Sequence, residues 1–116
     1  DEAFFMYYED VDFCLRLRRA GWRVFCLPEA RVTHLGGESS KQALEWMLIV
    51  SETSYIYFIE KQFGRKIAGV ISALGRLEMV LRILLWISLY VIIPRRKQEA
   101  LARLRAYRKL LWRGFR

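Results

Sequence analysis

The sequence predicts an α+β chain: a first third with short strands, followed by a mainly α-helical, membrane-associated extension. Three observations carry this. Phe4–Tyr8 and Trp22–Leu27 are short apolar, aromatic-rich runs of strand length. Residues 39–93 instead show a long apolar pattern at helical spacing. Residues 94–116 interleave arginines with apolar residues in the manner of an amphipathic helix. The expected divisions are therefore 1–38, 39–93 and 94–116.

Each element has a local reason. Phe4-Phe5-Met6-Tyr7-Tyr8 suits a buried strand or a tight loop entry. From Val11 to Ala20 the apolar residues recur at 11, 14, 15 and at 13, 17, the spacing of a helix. Glu9, Asp10 and Asp12 at its start and Arg16, Arg18 and Arg19 near its end complement the helix dipole. Gly21 is placed to end it. Trp22–Leu27 reads as a strand stopped by Pro28, and Ala30–His34 as a second short strand before a Gly36-Gly37 loop. Ser39-Ser40-Lys41-Gln42 resembles a capping box, opening a helix from about residue 40 to 63 that Gly64 ends. A second long helix is expected from about 66 to 93, ending before Pro94. A third covers about 95–113, with Ala100, Leu104, Tyr107 and Leu111 as its apolar stripe.

Composition narrows the class. With 116 residues, 54% of them hydrophobic, the chain suffices for one small domain and is not globally disordered. The net charge of +8 is local: residues 95–116 hold nine Lys/Arg and one Glu, whereas residues 1–34 are close to neutral. Cys14 and Cys26 are too few for a disulfide framework and are expected as reduced core thiols. The chain opens on Asp1-Glu2 without a leader pattern, and is expected to be a segment of a larger protein. Ile83–Ile93 is uncharged but well short of the ~20 residues that span a bilayer. Extending it backward takes in Arg82 and Glu78, which can pair at i,i+4, and then Arg76. A helix lying in the membrane interface, followed by Arg95-Arg96-Lys97, fits better than a span, and the other alternative is a helix docked on protein. A basic helix also fits nucleic acid, but the apolar run before it argues for lipid, so no nucleic-acid partner is expected.

Glu9-Asp10-x-Asp12 is the densest acidic cluster. Its plain reading is structural, with Asp10 capping the helix and Asp12 pairing Arg16. Its functional reading is a general base or a metal ligand. A calcium-binding loop starting at Asp10 fails, because Leu15 and Gly21 stand where Gly and Glu are required. A phosphatase-type Asp motif fails because Glu9 and Phe13 break its pattern. His34, the only histidine, ends a strand-like run beside two glycines, where backbone can approach a ligand closely.

Phe4–Arg16, then Ala20-Gly21-Trp22, Pro28, His34 and Gly37-Glu38-Ser39-Ser40, resemble the closing part of family-2 glycosyltransferases, most closely the bacterial rhamnosyltransferase-like branch. The resemblance covers residues 1–40. It implies a GT-A, Rossmann-like catalytic domain, of which 1–38 would be the acceptor side. It implies an inverting transfer, in which Asp10 as catalytic base deprotonates an acceptor hydroxyl, and Glu9 orients that base or contacts the acceptor. It further implies His34 as one ligand of a divalent cation, Mg or Mn, and places Asp12 and Trp22 on the acceptor side. The implied partners are a nucleotide-sugar donor, with rhamnose as candidate sugar, a glycan or polyprenyl-linked acceptor, and an anionic membrane surface. The implied setting is cell wall polysaccharide biosynthesis at the cytoplasmic face of the bacterial inner membrane. The family's nucleotide-binding βαβ region and Asp-x-Asp motif have no counterpart here, so the 116 residues alone are expected to be inactive. The alternative is a non-catalytic, basic membrane-surface adaptor.

Overall fold

In the computed structural model, residues 1–33 and 43–113 are described. They form four α-helices: α1 (Glu9–Arg19), α2 (Leu44–Phe63), α3 (Arg65–Ile92) and α4 (Lys97–Arg113). A single 3₁₀ turn, Pro94–Arg96, links α3 to α4. Helices α2, α3 and α4 pack on one another as a three-helix bundle, and α1 rests against the C-terminal half of α2.

The expected α+β character is overturned: there is no strand among the described residues. Phe5–Tyr8 forms bends, and Trp22–Leu27 is irregular and exposed. The physical reason is pairing. A β-prone run becomes a strand only when neighbours take up its N–H and C=O groups, and among the described residues no backbone hydrogen bond joins these runs. His34 and the Ser39–Gln42 capping box lie outside the described residues.

The helix boundaries follow local chemistry. Gly64 adopts φ 87°, ψ 165°, a region essentially closed to residues with a Cβ, and serves at once as the end of α2 and the start of α3. Pro94 has no N–H to continue α3 and opens the turn that redirects the chain. Gly21, at φ 85°, follows α1, and the Trp22 N–H donates to the Leu17 carbonyl across it.

Two apolar clusters hold the bundle. Ile56, Met79, Trp86, Ala100, Tyr107 and Leu110 form the larger one, where all three long helices meet. The stripe expected on α4 is therefore present, with Ala106 and Leu110 added to it. Phe4, Phe58, Ile59 and Ala68 form the smaller one, and Tyr8 and Leu15 pack against it. Burying a side chain such as Phe58 contributes on the order of 2 kcal/mol. Phe4 is buried against Tyr57, while Phe5, Trp22 and Phe25 are each more than 60% exposed.

Much of the basic charge on α4 is spent inside the fold. Arg105 and Lys109 both reach Glu45 at the start of α2, at 3.1 and 2.7 Å. Arg103 pairs with Glu99 and lies over the Trp86 ring, 4.6 Å from its centroid. Among the described residues, no helix is long and apolar enough to cross a membrane. In α3 the interruption is Arg76, Glu78 and Arg82, and the last two are ion-paired as their spacing predicts.

Candidate functional site

The acidic cluster sits at the entrance to α1. The chain reaches it through Tyr7 and Tyr8, both at φ 68°, a left-handed conformation that costs a residue with a Cβ. Packing offsets that cost. The Tyr8 ring stacks on Phe58 at 5.5 Å and lies 5.4 Å from Tyr55, while the Ser54 hydroxyl donates to the Met6 carbonyl at 2.8 Å. Burial pushes the Tyr8 hydroxyl up from its ordinary pKa, and its neighbours Tyr55 and Glu52 add to this. The start of α1 is thus fixed onto α2 by contacts some fifty residues away in sequence.

Tyr8, and not Asp10, occupies the N-cap position, and no side chain caps the helix there. Glu9 and Asp10 are the first two helical residues, and both are exposed. The Asp10 carboxylate accepts a 2.8 Å hydrogen bond from the Val11 N–H. Its remaining lone pairs face solvent, next to the positive end of the helix.

Asp12 is different. Two residues on, it lies on the opposite side of the helix and is fully buried. One carboxylate oxygen accepts from Arg16 Nε and Lys61 Nζ, both at 2.9 Å, and the other from Gln62 Nε2 at 2.7 Å. Burial would raise its pKa, but the hydrogen bonds from Lys61 and Arg16 outweigh that and hold the carboxyl below its usual range. Lys61 also binds the Asp1 carboxylate, which accepts from the Tyr57 hydroxyl at 3.0 Å. Asp12 therefore anchors α1 to α2, whereas the carboxylates of Glu9 and Asp10 are exposed.

The remaining sequence-derived residues are scattered. Trp22 is 69% exposed just beyond α1, and His34 lies outside the described residues. Cys26 is exposed and Cys14 half-buried, so the expectation of two core thiols is corrected for Cys26. Among the described residues, no three His, Cys, Asp or Glu side chains converge on a common point, so these residues do not build a cation site.

Sequence reasoning missed a polar cluster inside the bundle. Glu52 on α2 faces Glu78 and Arg82 on α3, and burial raises its carboxyl pKa, with Arg82 opposing and Glu78 reinforcing the shift. The buried Tyr107 hydroxyl of α4 makes no hydrogen bond of ordinary geometry, and Arg82 is its charged neighbour. Only the Glu78–Arg82 spacing was visible beforehand. An open groove of about 770 Å³ lies beside this bundle, with Thr53, Tyr57, Arg65, Ser72, Arg76 and Trp112 on its walls.

No protein-family profile matches the chain, and no solved structure matches it. Two curated relatives do. The N-acetylglucosaminyl-diphospho-decaprenol L-rhamnosyltransferases of two Mycobacterium tuberculosis strains, CDC 1551 / Oshkosh and ATCC 25618 / H37Rv, are each 34% identical to it over 65 residues. That segment is 55% of this chain and 21% of each relative, so the chain spans about a fifth of the length of the relatives it matches. The similarity is that of a glycosyltransferase-like segment.

Proposed function

We propose that this chain is the acceptor-side part of an inverting glycosyltransferase, with Asp10 as its general base. The observation that carries the proposal is the division of labour in the acidic cluster. Asp12 is consumed in anchoring, while Asp10 stands exposed on a helix start that packing has fixed in place. A sugar hydroxyl is a weak nucleophile and needs a base within hydrogen-bond reach. In the proposed step the Asp10 carboxylate takes the hydroxyl proton. The freed oxygen pair forms a bond to the anomeric carbon of the donor sugar. The bond from that carbon to the nucleoside diphosphate breaks, and the diphosphate leaves with the electron pair. Glu9, beside the base, orients the acceptor, and Trp22 offers an exposed ring face to a sugar.

The partial similarity to rhamnosyltransferases supports the transferase class. The acceptor in their name makes a polyprenyl-diphosphate-linked glycan the proposed acceptor here, and the sugar in their name makes rhamnose the proposed cargo. A divalent cation with His34 as one ligand belongs to the same proposal, and the base step does not depend on it. In a longer protein that also carries a nucleotide-sugar-binding region, Asp10→Asn is expected to lower kcat by roughly 10²–10⁴-fold. Donor affinity, read by calorimetry, should change little. Near-normal turnover of that variant would remove Asp10 from the role.

A further inference from the structure

The outward side of α3 carries a feature that the transferase proposal does not use. Eleven large apolar side chains between Ile67 and Ile92 are at least 45% exposed. Val70, Leu74, Leu77, Leu81, Leu84 and Val91 are typical of them. At about 100° per residue they fill an arc about 160° wide, which runs some 38 Å along the helix. From Ile67 to Ile92 no charged residue falls within that arc. Monomeric soluble proteins rarely leave a contiguous apolar surface of this size uncovered.

The rim identifies the occupant. Arg76 borders the arc along one edge, Lys66 stands at its N-terminal end, and Arg95 and Arg96 follow its C-terminal end. None of these four makes an ion pair among the described residues. The only acid on the flank, Glu78, is already paired with Arg82. Every uncompensated charge around the arc is therefore positive. Trp112, 89% exposed, lines the same groove as Arg76 and adds an aromatic ring of the kind favoured at a headgroup boundary. A second copy of this chain would bring a like-charged rim against this one. An arc this broad also exceeds the narrow seam of a two-helix contact.

We infer that α3 lies flat in the surface of an anionic lipid bilayer, with its apolar arc sunk among the acyl chains and Lys66, Arg76, Arg95 and Arg96 on lipid headgroups. This docking requires no catalysis by the chain, so it stands or falls separately from the transferase proposal. Flotation with phosphatidylglycerol-rich vesicles, beside pure phosphatidylcholine vesicles, tests it. The chain should float with the former and much less with the latter. Arg95→Gln with Arg96→Gln should weaken binding about fivefold per charge removed. Leu77→Glu with Leu81→Glu should abolish flotation while leaving the helical circular dichroism intact, since both positions face outward. Equal binding to both vesicle types, or undiminished binding by the Leu77/Leu81 variant, would overturn the inference. So would a sedimentation-defined dimer that this variant dissolves in a chain that ignores vesicles.

Discussion

Two carboxylates a turn-half apart on α1 have opposite fates, and the reason is which side of the helix each occupies. Asp12 turns inward and gathers Arg16, Lys61 and Gln62, while Asp10 turns outward. The sequence shows the Asp12–Arg16 spacing but not Lys61 or Gln62, which reach Asp12 only because α2 folds back beside α1. Asp12→Ala is expected to cost about 2 kcal/mol, because it strands the Gln62 amide, removes the acceptor of Arg16 and leaves Lys61 with Asp1 alone. Urea unfolding at neutral pH measures this directly. The acid limb adds a second readout. Because the folded-state pKa of Asp12 lies below its unfolded value of 3.8, its contribution is fully present above that value and is lost as pH falls through the folded pKa. Glu52 works in the other direction. Its raised pKa favours the protonated folded state, so its contribution declines as pH rises through and above 4.5. The Asp12→Ala chain should therefore lose less stability below pH 4 than the parent does.

At the scale of elements, helix ends were the most legible part of the sequence. Gly64, Gly21 and Pro94 mark boundaries through backbone chemistry that needs no distant partner. The three long helices begin and end within a few residues of where those signals place them, wherever their residues are described. The runs Phe4–Tyr8, Trp22–Leu27 and the described part of the third, Ala30–Thr33, misled for the opposite reason. A strand is a property of a pair, and the pairing partner is not readable from the run itself. Gly64 gives the sharpest test at this scale. Nothing lies within 4 Å of where its Cβ would be, so any penalty for Gly64→Ala is purely conformational. A loss of roughly 1–3 kcal/mol in thermal or urea unfolding is expected. Asn, which tolerates the ordinary left-handed region, should do no better, since ψ 165° lies outside it.

The whole molecule is a bundle with an arm. Its radius of gyration is 17.1 Å, against about 13 Å for a compact chain of this length. The arm is the stretch beyond α1, where residues 21–33 are all exposed. Trypsin should therefore cut first at Arg23 and Arg31, and a fragment containing α2–α4 should persist after those cuts. Mass spectrometry of a time course checks the order, and early cleavage within α2 would contradict the bundle as the stable unit. The charge that looked like a property of the C-terminal tail also changes meaning at this scale. Part of it closes the bundle through Glu45, and only the remainder faces outward.

Lys61 joins Asp1 and Asp12 to α2 across a long stretch of sequence, and this sets an order of events during synthesis. Chains emerge from the ribosome N-terminus first, at about 5–20 residues per second. The carboxylates of Asp1 and Asp12 are therefore made several seconds before the ammonium that will hold them. Through that interval Phe4, Tyr8 and Leu15 have no Phe58 or Ile59 to rest on. The first third of this chain is born waiting for its second, and a chaperone that shields aromatic side chains would meet it in that state.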